Sequence, residues 1–377
     1  MKDVLEALET WRAAGVDTGR AVVIRTFGSA PRPEGAVLLR ADDGRIAGSV
    51  SGGCVEGAAA EEIDRARTNG RARVIRYGIS DEQAWDVGLA CGGTIDVLVE
   101  PVVAAAVVEA AGDARASGAA GQAVVTELPP DSPGPGLGAH EPGAGAVPRT
   151  PLVVDADGTL HGSLGDPALD GTLAAMAADA ILRGTSRTVE LGDRQLFIET
   201  FAARPRLVVV GAVEIARPLV SMARALGFET IVVDGRPAFA TPERFPEADR
   251  LVVGWPDDVA ETIGLGPNDA VAILTHDPKF DEPAIAAALG RGCRYVGAIG
   301  SRRTQADRRA RLRDDGVPEA DLARLHGPVG LDLGGRTAAE IALSILAEIV
   351  ADRYGGSGRP MLHRAATAAP EAVGAGV

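Results

Sequence analysis

Aromatic side chains are scarce in this sequence, at 3% of 377 residues. Its cores must therefore be built from Ala, Val, Leu and Ile. Long apolar runs are missing as well: none approaches the ~20 residues that a bilayer-spanning helix needs. The opening segment, Met1–Trp11, is an acidic amphipathic stretch. It has neither the apolar centre nor the small-residue cleavage site of a signal peptide. Cysteine is limited to three residues with no Cys-x-x-Cys pair, and the five histidines are scattered. That excludes an ordinary zinc site and fits reduced thiols in the cytoplasm. Basic charge falls short of acidic charge, 38 against 52, for a net of −14. Such a chain is no general binder of nucleic acid or anionic membrane, because phosphate-rich surfaces repel it. A local basic site for a small anion stays open.

Hydrophobic residues make up 46%, enough for packed cores. The length fits two domains at about 150 residues each. The first half predicts a helix over 3–14 capped by Asp3 with Glu6, then strands over 21–27, 36–40 and 45–48. A helix over 54–68, strands over 72–77 and 94–100 and a helix over 102–116 follow. Residues 129–149 read as a flexible Pro/Gly loop. Strands near 152 and 159, a helix over 167–183 and strands near 187 and 195–201 complete this half. No internal repeat is evident.

From Arg206 the rhythm changes. Near-continuous apolar strands at 207–210, 230–233, 250–253, 270–274 and 295–298 alternate with helices, which implies a parallel sheet covered on both faces. The fold class is α/β: an amino-terminal α+β domain over 1–204, then a Rossmann-like, doubly wound parallel-sheet domain over 205–354. A Gly/Ala/Pro-rich tail, 355–377, reads as disordered. The last helix, 338–350, carries a capping box of Thr337 and Glu340 and a stripe of Ile341, Ile345 and Ile349.

Two cysteines stand beside glycine pairs. Cys54 follows Gly52–Gly53 at a predicted helix start, where exposed amides and the helix dipole favour an anion such as a thiolate. Cys91 precedes Gly92–Gly93. Both also fit as small buried apolar residues. Cys293 reads as core. Gln83, Trp85 and Asp86, just before Cys91, are candidates for contacts to a heteroaromatic ligand, and equally fit a packed loop.

The first strand–helix turn of the second half departs from G-x-G-x-x-G/A. It keeps Gly211 and Ala216 but puts Val213 where the second glycine lets a pyrophosphate approach bare backbone, and Glu214 adds like charge. Asp234 ends the next strand, where a ribose-binding acid is expected. NAD(P) binding is disfavoured by Val213. A stronger phosphate candidate is Ser301–Arg302–Arg303 after Gly300, since arginines at a helix amino terminus oppose its dipole unless an anion is present. His276, in Thr275–His276–Asp277, ends another strand at that rim. All of these also fit as solvated surface groups.

These residues carry a family resemblance. The stretch from Gly28–Ser29–Ala30–Pro31–Arg32 through Ser51–Gly52–Gly53–Cys54–Val55–Glu56 to Cys91–Gly92–Gly93 resembles the amino-terminal domain of the XdhC/CoxI family. Asp234–Gly235–Arg236–Pro237, Thr275–His276–Asp277, Gly297 through Thr304 and Arg336 through Ala342 resemble its Rossmann domain. The family's loop pattern of Gly-x-Gly followed by His is replaced here by Val213 and Glu214, which argues against nucleotide binding and fits a CoxI-like branch. The resemblance implies a maturation factor for a molybdenum hydroxylase of the xanthine dehydrogenase or carbon monoxide dehydrogenase type. Such a factor binds molybdenum cofactor, as molybdopterin or its dinucleotide form, assists and protects its sulfuration, and delivers it. Cys54 and Cys91 are then the candidate molybdenum contacts. Gly52, Gly53, Gly92, Gly93, Gly211, Asp234, His276, Ser301, Arg302 and Arg303 are the candidate cofactor-binding residues, and no catalytic residue is assigned. The implied partner is the apoenzyme, with a cysteine desulfurase and a second copy of the chain as further candidates. Two other readings stay open: an NAD(P)-binding oxidoreductase, and a sulfur-transfer enzyme using Cys54 or Cys91.

Overall fold

The computed structural model describes residues 4–28, 30, 32–78, 93–114, 121–134 and 142–363. The chain divides into two units, with the boundary between Ala203 and Arg204. Each has its own buried cores.

The amino-terminal unit starts with α1 (Leu5–Ala13), which buries Leu5, Leu8 and Trp11 at helical spacing. Its amino-terminal flank is Val4, without a side-chain cap, and the expected cap Asp3 lies outside the described residues. Next come β1 (Thr18–Phe27), β2 (Val37–Ala41), β3 (Ile46–Gly48), α2 (Glu56–Asn69), β4 (Arg73–Tyr77) and β5 (Thr94–Glu100). The strands pair antiparallel in the order β3-β2-β1-β5-β4. After α3 (Ala105–Asp113) follow β6 (Gln122–Glu127), β7 (Leu152–Asp155), β8 (Leu160–His161), α4 (Pro167–Arg183), β9 (Arg187–Leu191) and β10 (Arg194–Phe201). Their order is β8-β7-β6-β10-β9, again antiparallel.

The two sheets have one connectivity, so the unit contains an internal repeat, contrary to the reading from sequence. Gly48–Ser49–Val50 and Val55–Glu56–Gly57 match Gly162–Ser163–Leu164 and Leu169–Asp170–Gly171 at a constant offset of 114 residues. The same offset relates Gly70 to Gly184, which end α2 and α4 in left-handed conformation at φ 67° and 64°. In the first strands the offset is 102, from Gly19–Arg20–Ala21–Val22–Val23 to Gly121–Gln122–Ala123–Val124–Val125. The Pro/Gly stretch between β6 and β7 accounts for the change. The identities are confined to short stretches, with Val against Leu and Glu against Asp beside them and a changed offset, which hides the repeat from inspection.

The described parts of that stretch are held to the first sheet. Arg25 donates to the Pro133 carbonyl at 2.7 Å, Arg76 to that of Gly134 at 2.8 Å, and Ala72 and Ala146 exchange backbone hydrogen bonds. The two sheets face each other through Val22, Ile24 and Leu98 on one side and Val124, Phe197 and Phe201 on the other. The helices α2 and α4 cover the outward faces.

Arg20 stands between the sheets at 0% exposure. It donates to Glu100 of its own repeat at 2.5 Å and to Glu199 of the other at 2.8 Å. Burial opposes its charge, but the two carboxylates hold the guanidinium protonated. Burial in turn pushes the Glu100 carboxyl above its ordinary range.

The second unit runs β11 (Arg206–Val210), α5 (Ala216–Ala225), β12 (Glu229–Asp234), β13 (Arg250–Val253), α6 (Pro256–Ile263) and β14 (Asp269–Ile273). It continues with α7 (Pro278–Gly290), β15 (Tyr295–Ala298), α8 (Arg302–Asp314), α9 (Glu319–Leu322), β16 (Leu325–His326) and α10 (Ala338–Tyr354). The sheet is parallel, in the order β13-β12-β11-β14-β15-β16. The first strand is central and the order reverses beside it, as in doubly wound dinucleotide folds. The strands bury residues on both faces. Thr337 and Glu340 form the expected capping box. Cys293 is buried, and desolvation pushes its thiol up to about 12.

Replacing Arg20 by Met leaves two carboxylates facing each other without a cation. That variant should lose about 3–5 kcal/mol of stability in urea unfolding, the cost typical of breaking a buried ion pair. A loss below about 1 kcal/mol would show that the ion pairs do not hold the sheets together.

Candidate functional site

Cys54 lies in the turn between β3 and α2, and it is exposed. The helix expected from residue 54 begins at Glu56. Gly52 and Gly53 take φ +80° and +122°, conformations that side chains with a Cβ rarely adopt. The second repeat shows what those glycines change. There Asp166 and Pro167 stand in their places, Asp166 caps the helix by accepting from Ala168 and Leu169 N–H, and α4 is wound from Pro167 onward. The counterpart of Cys54 is Ala168, inside that first helical turn. The glycine pair thus leaves one helical turn unwound and displays the thiol on it.

The turn is stapled by Glu56. One carboxylate oxygen accepts from the Ser49 hydroxyl at 2.6 Å and from Val50 and Ser51 N–H at 3.2 and 2.9 Å. The other accepts from the Ser51 hydroxyl at 2.6 Å and Gly53 N–H at 2.9 Å. Ser51 Oγ in turn accepts from Cys54 and Val55 N–H at 3.0 and 2.9 Å. The expectation from sequence is that exposed amides favour a thiolate at Cys54; instead Glu56 holds the amides of Val50, Ser51 and Gly53, and Ser51 Oγ holds those of Cys54 and Val55. Asp170 staples the second repeat in the same way, through the Ser163 hydroxyl and Leu164 N–H. Partial burial opposes the charge of Glu56, but the two serine hydroxyls and the Ser51 amide hold its carboxyl down to about 2.

Cys91 and Gly92 lie outside the described residues, as do Gln83, Trp85 and Asp86. Gly93 is buried just before β5. No group of three or more His, Cys, Asp or Glu among the described residues is placed to hold a metal ion.

In the second unit, a crevice of about 320 Å³ opens at the carboxyl ends of β11, β12 and β14. Val213, Asp234, Arg236, Thr275, His276, Asp277 and Phe280 line it. Gly211, at φ +108°, turns the chain against Thr275, whose Cγ2 would stand 2.5 Å from an added Cβ. Asp234 is fully engaged. It accepts from Ala212 N–H at 2.8 Å, Arg236 N–H at 2.9 Å, and Arg236 Nε and Nη2 at 2.8 and 2.7 Å. Burial opposes its ionisation, yet Arg236 and these amides hold its carboxyl below the usual range. His276, at φ +116°, is a non-glycine residue in strained backbone of the kind found at ligand clamps. The turn beneath it is fixed by a buried chain: Thr275 donates to Asp281, Arg308 donates to Asp281 at 2.6 Å, and Gln305 donates to the Ala298 carbonyl at 2.9 Å.

Ser301 caps α8 by accepting from Thr304 N–H. Arg302 and Arg303 project from its first turn, exposed and, among the described residues, without a hydrogen bond or ion pair to a protein group. Neither lines the crevice. The crevice lining therefore includes Val213, Asp234 and His276 but not Arg302 or Arg303, which follow the neighbouring strand β15, and Cys54 belongs to the other unit. Sequence reasoning assigned no site role to Glu56, Arg236 or Phe280. A search for a Ser followed seven residues later by an acidic residue in both repeats finds Glu56 and Asp170. The meeting of Phe280 with Gly235 is visible only once the carboxyl ends of β12 and β14, with β11 between them, share one rim of the sheet.

Glu56→Gln should cost about 1–2 kcal/mol at neutral pH, below the full value of charge-assisted bonds because the turn is partly exposed. The carboxyl is depressed in the folded chain, so its contribution is complete above the ordinary value of 4.5 and is lost as pH falls toward about 2. The stability gap between the two proteins should thus be smaller at pH 3 than at pH 7, and an equal gap would refute the staple.

Residues 207–349 match the model described as the XdhC Rossmann domain, and residues 11–78 match that of the XdhC and CoxI family. The chain is 30% identical to a probable xanthine dehydrogenase subunit from Bacillus subtilis (strain 168), over 88% of this chain and 92% of that protein. It is 27% identical to the molybdenum cofactor insertion chaperone PaoD of Escherichia coli (strain K12), over 94% and 87% of the two chains. Its fold is similar to the crystal structure of a xanthine dehydrogenase from Bacillus halodurans, with a TM-score of 0.65, 24% identity and coverage of 97% and 98%.

Proposed function

The chain belongs to the XdhC and CoxI family, and from that premise we propose that it is a maturation factor that takes up molybdenum cofactor and assists its insertion into a molybdenum hydroxylase. Similarity to a molybdenum cofactor insertion chaperone along 94% of the chain carries this reading. An exposed Cys54 on a turn held open by two glycines supports it physically. Sulfur is a soft donor suited to a soft metal centre or its sulfido ligand. The turn offers that sulfur without surrounding bulk, since a Cβ added at Gly53 would meet nothing within 4 Å.

In the finer part of the proposal, Cys54 contacts the molybdenum end of the cargo and protects its sulfurated form, with Cys91 as its candidate companion. The partner is the apoenzyme of the xanthine or carbon monoxide dehydrogenase type. A cysteine desulfurase and a second copy of the chain complete the proposed assembly, and co-purification with size-exclusion chromatography tests both. Oxidoreductase chemistry with NAD(P) is disfavoured. Val213 occupies the pyrophosphate approach, and Ala212 N–H is already bonded to Asp234.

Protein purified from cells that make molybdenum cofactor should carry pterin, measured by its fluorescence after oxidation. Cys54→Ala should retain at least about tenfold less, a loss of ~1.4 kcal/mol. Wild-type protein that carries no pterin and fails to raise the activity of a cofactor-free molybdenum hydroxylase would overturn the proposal.

A further inference from the structure

We propose that the crevice of the second unit is a binding site for a planar heterocycle carrying a single phosphate ester, and that it rejects dinucleotides. The inference rests on the crevice's own residues and stands apart from the part given to Cys54. Its wall is aromatic on one side. Phe280 packs directly on the Gly235 backbone, with its Cζ 2.6 Å from where a Cβ would be. Trp255 stacks on Phe280 at 4.1 Å between ring centroids and so backs that ring from one face, while Phe280 itself lines the crevice. Stacking surfaces of this kind select flat rings.

The other side is a fixed cation. Arg236 is clamped through Nε and Nη2 to Asp234, and its guanidinium lies 3.9 Å from the centroid of the Phe239 ring. Its side chain is 48% exposed and keeps Nη1 for a ligand. A guanidinium held flat in one place loses little further ordering entropy on binding and suits phosphate oxygens. Asp234, where this fold usually recognises a ribose diol, already accepts four donors and has no role left for sugar hydroxyls. The usual diphosphate position is closed too, by Val213 and by the Ala212 amide turned to Asp234. At about 320 Å³ the crevice is at the small end of the range for ligand pockets. His276, in strained backbone on the same rim, adds an imidazole to the lining.

Nucleoside monophosphates and phosphorylated pterins share this chemistry, so the test includes both. Binding of AMP, GMP, adenosine, NADH and molybdopterin released from a purified molybdenum enzyme is measured by calorimetry on the full chain. A monophosphate should bind about tenfold to a hundredfold more tightly than adenosine, the difference expected of charge-assisted bonds to one phosphate, and more tightly than NADH. Arg236→Met should reduce AMP to the affinity of adenosine while leaving adenosine unchanged, and Val213→Gly should raise NADH affinity. Tighter binding of molybdopterin than of AMP and GMP assigns the crevice to the pterin, and the reverse assigns it to a nucleotide. Equal binding of AMP and adenosine, an unchanged ratio in folded Arg236→Met, or NADH as the tightest ligand would each overturn the proposal. Failure to raise the activity of a cofactor-free molybdenum hydroxylase bears on the maturation reading alone, and the ratio of AMP to adenosine affinity bears on the crevice alone, so the two failures are distinguishable.

Discussion

Carboxylates of the chain's own fill the backbone amide clusters where external anions would otherwise bind. Glu56 collects the amides of Val50, Ser51 and Gly53, and Asp170 collects that of Leu164. Asp234 collects those of Ala212 and Arg236. A buried amide must be paired, and a carboxylate is the strongest local acceptor. Each turn is therefore rigid before any ligand arrives. What remains for a ligand is the group the turn displays: a thiol at Cys54, and a guanidinium at Arg236.

The repeat within the amino-terminal unit separates scaffold from speciality. Both copies keep the Ser hydroxyl, the carboxylate staple and the glycine that ends the helix. Only the first replaces the Asp–Pro helix start by Gly52–Gly53 and the alanine by Cys54. Holding the copies together falls partly to Arg20, whose counterpart in the second copy is Gln122. One arginine between two glutamates, at full burial, costs desolvation that excellent geometry must offset. The pairing fixes which faces of the two sheets meet.

In the second unit, the departure of the glycine loop and the saturation of Asp234 point the same way. A ribose-binding acid and a bare pyrophosphate turn are the two devices by which this fold holds dinucleotides. Val213 removes one, and Arg236 converts the other into a mount for positive charge. The topology is retained while the chemistry at its switch point has changed.

Much was legible from sequence. Apolar runs such as Leu207–Val210 and Ala270–Ile273 announced buried parallel strands, because both faces of such a sheet are covered. Thr337 and Glu340 announced their capping box, since its hydrogen bonds are local. The glycine beside Cys54 and the valine at 213 were visible as chemistry. Tertiary structure alone decided what required residues far apart in sequence to meet. It paired the two repeats through Arg20 and Glu199. It placed Phe280 against Gly235. Local periodicity reports which faces are buried, whereas the partner of a buried polar group depends on how distant strands align, and no single segment carries that information.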